Sequence, residues 1–420
     1  MLAFCARFGV GSANRQTPKT EAKKGVFQML SLRRLTLPAF AAATALTVAV
    51  GVPSAGAQVK LGMITPLTGA SSVVGLDMQR GAELALERIN AGHDVPQKDG
   101  GPVAVGPGLL GSAAELIVED DESRPAAAMD AVRKLVNTDG VPVVIGEYSS
   151  GRTLPTGQFT NENGVIQIST GANSPTLRDV GPYFFSAIGL ATAQGPVLVD
   201  LAQKVVGATR IATLFPNNPY GVGVEIAICE AAAAMGAECV AKVRYEEQKT
   251  DYRPELRQIT APDPDAVIFF AYGADATLIF RQAFELQLDA AGKWIGTEVS
   301  NWEADVQETP EIAEGVRGIE HAVGGDFYDS EYASAYQAKY GEAPLSAFGA
   351  FAYDATILVG LAIEAAGSAE PDAIRPAIIE VSQTYRALTG DMSMDDDGMR
   401  TSQEYGYYIF QDGALQSFTP

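Results

Sequence analysis

The chain has 420 residues, with 30 basic and 51 acidic side chains, two histidines and three cysteines. A net charge of −21 argues against a nucleic-acid partner, whose phosphates need a basic face, and against a polybasic membrane-surface protein. A hydrophobic content of 47% with 19% charged residues describes a globular protein of two to three domains, and two histidines without a Cys-x-x-Cys leave no zinc or iron–sulfur pattern.

Residues 1–57 stand apart. They hold seven basic side chains, from Arg7 to Arg34, and one acid, Glu21. Leu35 to Val52 carries no charge, and Pro53-Ser54-Ala55-Gly56-Ala57 follows. A basic region, an apolar run and a small-x-small end predict a secretory signal peptide cut after Ala57. An N-terminal anchor helix is the alternative, disfavoured by Pro38. Met29 heads a signal peptide of ordinary length, so translation is expected to start there. With no Cys near Gln58, a lipid anchor is not expected. Removing residues 1–57 takes away seven cations and one acid, so the charge left is −27. That suits a self-repelling monomer. Cys229 and Cys239 are left as a pair in an oxidising compartment, either as a disulfide or as two small buried thiols.

From Val59 the chain alternates strands and helices. Strands are predicted at Val59–Ile64, Leu116–Val118, Val143–Ile145 and Val165–Ile168. Helices are predicted at Leu76–Asn90, Pro125–Asn137 and Thr153–Glu162. Residues 92–111, rich in Gly and Pro, read as a loop with room for a small hairpin. The rhythm restarts after Gly189. Strands are expected at Ile211–Phe215, Cys239–Val243, Ala266–Phe270 and Trp294–Ile295. Helices are expected at Gln194–Val206, Tyr220–Met235 and Ala274–Leu286. Three more helices follow at Glu331–Tyr340, Ala347–Ala366 and Pro371–Val381, and a last strand at Tyr407–Phe410. Short apolar strands alternating with amphipathic helices predict βαβ units in parallel sheets, in two halves of domain size. Ala347–Ala366 is apolar enough to raise a membrane span, but Asp354 and Glu364 within it favour a buried globular helix.

No nucleotide or catalytic motif survives inspection. Gly221-Val222-Gly223 lacks the third glycine of a dinucleotide fingerprint, and there is no P-loop. Asp395–Asp397 has the wrong spacing for a calcium loop and reads as a solvated turn. Ser149 and Ser150 lack a nucleophile-elbow context. His93 and His321 read as surface or structural residues. No enzyme chemistry, cofactor or metal is expected. What recurs is a small polar segment after a strand: Gly146–Gly151 and Ser169–Pro175 in the first half, Pro216–Tyr220, Ala271–Gly273 and Gly296–Glu298 in the second. Parallel sheets bind ligands at the carboxyl ends of their strands, where free helix N–H groups suit a carboxylate. One half thus offers small polar groups, and the other offers two tyrosines and an acid. Taken singly, each segment also reads as a turn and helix cap.

The chain resembles the leucine/isoleucine/valine-type periplasmic binding proteins, the type I solute-binding components of ABC importers. The resemblance covers nearly all of residues 58–420. It is carried by Gly62-Met63-Ile64-Thr65-Pro66-Leu67-Thr68-Gly69, Gly81–Leu86, Ile89-Asn90, Val144-Ile145-Gly146, Tyr220-Gly221, Arg281-Gln282-Ala283 and Phe351–Ala355. It implies an α/β fold of two doubly wound parallel-sheet lobes joined by a three-segment hinge. The lobes are expected at 58–189 plus 322–403 and at 190–321 plus 404–420. It implies a small-molecule ligand gripped by Ser150 at its carboxylate and by Gly171 and Asn173. Tyr220 and Tyr272 would cover the ligand, and Glu298 would pair with an ammonium. Val74 and Asn173 depart from the family pattern, which has an aromatic ring at the first position and Thr or Ser at the second. The expected function is a periplasmic receptor for an amino acid that serves an ABC permease. A binder of an amide, urea or aromatic acid, or a sensor feeding a signalling partner, is the alternative.

Overall fold

A computed structural model describes residues 58–288, 293–298, 306, 309–322 and 330–420. The leader, its cleavage point and the Met29 start lie outside these residues. Two sheets organise the chain. The first contains β1 (Lys60–Thr65), β4 (Glu115–Asp120), β5 (Val143–Ile145), β6 (Ile166–Ser169) and β7 (Phe184–Ser186), in the order β4-β1-β5-β6-β7. All four pairings are parallel. The intervening β2 (His93–Pro96) and β3 (Pro102–Val105) form a separate antiparallel hairpin in the expected loop.

The second sheet contains β8 (Arg210–Pro216), β9 (Glu238–Tyr245), β10 (Ala266–Phe269), β11 (Trp294–Gly296) and β12 (Arg317–His321), all parallel. After the two-residue strands β13 (Arg386–Ala387) and β14 (Gly390–Asp391), β15 (Tyr405–Gln411) and β16 (Ala414–Ser417) complete the order β16-β15-β12-β11-β10-β8-β9. These last two strands add antiparallel pairings at one edge of the parallel sheet. β15 pairs with β12 antiparallel, and β16 turns back on β15 as a hairpin.

Parallel sheets must bury both faces, so their strands are apolar on both sides. On β1, Leu61 and Met63 join one core cluster while Ile64 joins another; on β5, Val143 and Ile145 part from Val144 in the same way. The first cluster lies under helices α1 (Ser72–Ala91) and the late Ala347–Ala366. The second lies under α2 (Pro125–Lys134). The second sheet repeats the division. Ile211 and Ile268 face one way; Ala212, Leu214, Val267 and Phe269 face the other. Its helices are α4 (Gln194–Val206), α5 (Pro219–Ala234), α6 (Arg253–Thr260) and α7 (Gly273–Glu285). α3 (Ser150–Glu162) starts three residues before the sequence pattern, because Ser150 and Gly151 carry no apolar signal but already lie in the helical turn. α8 (Glu331–Tyr340), α9 (Ala347–Ala366) and α10 (Pro371–Ser382) return to the first half, where α9 packs along α1. Cys229 and Cys239 form a disulfide between the end of α5 and β9.

Among the described residues, α9 is the one helix long and apolar enough to cross a membrane, and it is almost wholly buried. Its Asp354 accepts hydrogen bonds from Tyr385 Oη (2.6 Å), Thr389 Oγ1 (2.8 Å) and the N–H groups of Leu388 and Thr389. Close approach of α1 and α9 requires glycine. A Cβ on Gly81 would lie 1.9 Å from the Gly349 carbonyl oxygen. Beside it, buried Asp77 accepts from Tyr336 Oη (2.8 Å), Ser346 Oγ (2.7 Å) and the N–H groups of Leu345, Ser346 and Gly349. One carboxylate thus caps the start of a helix distant in sequence. Asp77→Ala strands several buried donors, each costing about 1–3 kcal/mol, so it is expected to lower unfolding stability by at least about 3 kcal/mol in a urea titration.

Candidate functional site

In each sheet the strand order reverses once. The first sheet does so between β1 and β5, the second between β8 and β10. At such a point two neighbouring connections leave the sheet on opposite faces and open a crevice at the strands' carboxyl ends. The connection after β5 carries Tyr148 and Ser150. The one after β8 carries Tyr220, and the one after β10 carries Phe270 and Tyr272. The connections after β6 and β11 add Gly171, Asn173 and Glu298.

These residues, with Phe348 from the first turn of α9, line one cavity. All six residues expected from the sequence are therefore brought together. Tyr148, Phe270 and Phe348 were missed. Tyr148 lies within the strand-end segment Gly146–Gly151 and Phe270 just before Ala271–Gly273, so the alternation of strand and loop is the available signal. Phe348 lies in an apolar helix some two hundred positions further on, where nothing in the sequence marks it.

Ser150 is the first residue of α3, where backbone N–H groups have no carbonyl partner inside the helix. Its Oγ accepts from the Ser174 N–H at 3.1 Å, tying α3 to the loop after β6. That loop folds against Tyr148. A Cβ on Gly171 would lie 2.8 Å from the Tyr148 ring and 2.9 Å from its Cα, so glycine is required there. The Asn173 carbonyl accepts from the Ala191 N–H at 2.8 Å, whereas its side-chain Nδ2 is buried with no partner among the described residues.

The second sheet contributes rings and a carboxylate. Tyr220 Oη lies 3.1 Å from Thr297 Oγ1 and 3.4 Å from Gln194 Oε1. Tyr272 Oη reaches Ser149 Oγ of the other half at 3.4 Å and accepts from Asn218 Nδ2 at 3.3 Å. Ser174 Oγ donates to the Pro219 carbonyl at 2.8 Å, a second bond between the halves. The rings Phe348, Tyr148, Tyr272, Phe270 and Tyr220 form a continuous edge-to-face chain with centroids 4.8–6.0 Å apart. Glu298 is buried, and its Oε2 has no partner among the described residues. Burial pushes its carboxyl above the usual range, against the pull of its own N–H and of Tyr220, Gln194 and Thr297. Val74, buried, lines a neighbouring pocket with residues 69–73, sharing Tyr148 and Tyr272 as a wall.

The remaining motifs stay outside this cavity. Arg178 bonds Asp395 Oδ2 and Asp397 Oδ2 at 2.8 and 2.9 Å, so the acidic turn is held by an ion pair. His321 is buried against Phe348, Phe351 and Tyr405. Among the described residues no group of three or more His, Cys, Asp or Glu is placed to hold a metal ion.

Two switch points thus face one cavity, with small polar groups on one wall, a carboxylate on the other and rings from both, and this is the candidate binding site. Residues 58–413 match the family described as Periplasmic binding protein, and the chain belongs to that family. It is 28% identical over 369 residues to the Leu/Ile/Val-binding protein homolog 1 of Brucella abortus, covering 86% of this chain and 92% of that one. It is 27% identical to the leucine-, isoleucine-, valine-, threonine- and alanine-binding protein of Pseudomonas aeruginosa, covering 86% and 91%. Among solved structures it is similar to the branched-chain amino acid transporter substrate binding protein LivJ of Streptococcus pneumoniae in complex with isoleucine. There the identity is 25%, the TM-score 0.73, and the coverage 86% and 100%. The fold is that of the type I periplasmic binding proteins, and its relatives are solute-binding proteins rather than enzymes.

Gly171→Ala drives a methyl into the Tyr148 ring and backbone. The expected result is a folded protein with near-unchanged far-ultraviolet circular dichroism, about 1–3 kcal/mol less stable to urea, with altered near-ultraviolet tyrosine signals.

Proposed function

We propose that this chain is an extracytoplasmic receptor that binds an amino acid between two lobes and delivers it to an ABC permease. The observation that carries this reading is the pair of unsatisfied groups in one cavity. The donor at Asn173 Nδ2, beside the Ser150 helix start, comes from the first sheet; the acceptor at Glu298 Oε2 comes from the second. An α-amino acid has the complementary pair, a carboxylate for the first and an ammonium for the second. The relatives from Brucella and Pseudomonas bear names that specify aliphatic amino acids, which supports the same class. The signal-peptide pattern of residues 1–57 supports export to the periplasm, and the charge left after its removal supports a monomer.

In this reading the mechanism is closure. The lobes are 58–189 plus 322–403 and 190–321 plus 404–420. The hinge is supported by contacts between the crossing segments, such as Gly189 N–H to Gln403 Oε1 at 3.2 Å and Ala322 N–H to the Glu404 carbonyl at 2.9 Å. Ligand stabilises the closed form by the contacts it makes to both walls at once. A thermal-shift screen of residues 58–420 against the twenty amino acids, simple amides, urea and aromatic acids tests the class, since a ligand of the folded state raises the melting temperature. Aliphatic amino acids are expected to stabilise; stabilisation by amides or aromatic acids alone overturns the reading.

The ammonium contact has its own signature. A carboxyl held above its usual range in the free protein must ionise to pair with a cation. Binding is therefore expected to release a proton below that raised pKa and to tighten as pH rises through it. Glu298→Gln keeps the shape and removes the charge. It is expected to cost about 2–5 kcal/mol in affinity and to abolish the proton release, both read by calorimetry in buffers of different ionisation heat.

A further inference from the structure

Behind Ser150 lies a charge cluster that the ligand contacts do not use. Asp121 is one residue past β4, Glu147 two past β5, and Arg152 is the third residue of α3. Their side chains are 0%, 0% and 5% exposed. Arg152 Nε is 2.6 Å from Glu147 Oε1 and 3.4 Å from Asp121 Oδ2, so one N–H faces two carboxylates. Glu147 Oε2 accepts from the Ser149 N–H and from Thr153 Oγ1, both at 3.2 Å. Asp121 Oδ1 accepts from the Ser123 N–H at 2.7 Å. Asp121 Oδ2 is left buried with no hydrogen-bond partner, and so is Arg152 Nη2.

Two carboxylates and one guanidinium, all ionised, would leave a net negative charge in a dry space at the root of the helix start. Burying uncompensated charge is expensive, and a bare carboxylate oxygen beside another carboxylate compounds it. A hydrogen on Asp121 Oδ2, donated to Glu147, removes both problems. We propose that Asp121 and Glu147 share one hydrogen over Arg152, and that this neutral trio is a positioning device that holds Ser149 and Ser150 in place without repelling an anionic group seated there. The second clause rests on the amino-acid reading above; the first does not.

The surroundings agree. Burial first, then the charge of Glu147, pushes the Asp121 carboxyl up to about 9, against Arg152 and the Ser123 N–H. Arg152 stays charged, because Glu147 and Asp121 outweigh its burial. The other titratable groups that act on the cluster come from the second sheet's connections. Tyr272 acts on Arg152, and Glu247, held by Asn218, acts on both Arg152 and Glu147. Asp275 lies beyond Glu247. None of these supplies a cation to replace the shared hydrogen.

The sign of the pH effect is fixed. A carboxyl that ionises near 3.8 when unfolded and near 9 when folded holds one extra proton in the folded state between those limits, so its stabilisation is lost as pH rises. The test compares ligand-free wild type with Asp121→Asn, whose amide can still donate to Glu147. In difference infrared spectra at neutral pH, wild type is expected to show a protonated-carboxyl carbonyl stretch that the variant lacks. The difference isolates this band from that of any other protonated carboxyl. The wild-type unfolding constant should rise about tenfold per pH unit relative to the variant between about pH 5 and 8. Glu147→Gln, which frees Asp121 to ionise against Arg152, should also remove the band and serves if Asp121→Asn does not fold. Absence of the band in wild type, or parallel pH slopes, overturns the shared hydrogen. For the positioning role, L-leucine is the probe. From neutral pH to about pH 10 the ratio of wild-type to Asp121→Asn association constants should fall at least about threefold as the trio gains its negative charge. A constant ratio overturns the positioning role. If L-leucine binds neither protein, the amino-acid reading fails while the infrared and unfolding results still decide the hydrogen.

Discussion

A parallel sheet has to hide both of its faces, and most of this molecule follows from that. Each strand must be followed by a helix that crosses one face before the next strand begins, so strand ends and helix starts collect at the same edge. Helix starts carry free N–H groups, and the reversal of strand order parts the connections there. Ser150, Tyr220 and Tyr272 owe their positions to that geometry rather than to any local motif. A second sheet built on the same rule presents an equivalent edge. The candidate site lies where the two edges meet, and each half contributes to its lining.

The chemistry of that meeting is deliberately incomplete. Some buried carboxylates elsewhere in the chain are heavily satisfied. Asp77 and Asp354 each collect several donors, and together they pin the returning helix α9 to the first half and to its following turn. In the cavity, by contrast, an amide nitrogen and a carboxylate oxygen are buried without partners. Unsatisfied groups in a dry space weaken the fold, and in the proposed reading a ligand completes the bonding of these two. The ring chain around them is largely apolar, so a bond formed there acts in a lower dielectric than in water.

The sequence alternation placed nearly every strand and helix, because period-2 and period-3.6 burial are local consequences of backbone geometry. It missed Phe184–Ser186, a three-residue strand too short to show a period, the two-turn helix Arg253–Thr260 and the strand Ala414–Ser417, and it began α3 at Thr153 because serine and glycine carry no apolar signal. It read Tyr407–Phe410 only as a strand, without a pairing for it or for the strand that follows. Their antiparallel pairing depends on the direction from which the chain re-enters the second sheet, and no residue in Tyr405–Gln411 records that direction. Burial of Ala347–Ala366 was legible from Asp354 and Glu364, but the partners that receive Asp354 were not.

The candidate site divides in the same way. Small polar residues after apolar strands, together with a family resemblance carried by ordered short motifs, singled out Ser150, Gly171, Asn173, Tyr220, Tyr272 and Glu298 from sequence alone. Such signals are local, because strand ends and helix caps are written in neighbouring residues. Phe348, the Tyr148–Tyr272 contact between the halves, the disulfide between Cys229 and Cys239, and the convergence of Asp121, Glu147 and Arg152 were decided only by tertiary structure. Each is a meeting of side chains from different elements, and a pattern read along one chain carries no measure of the distance between them.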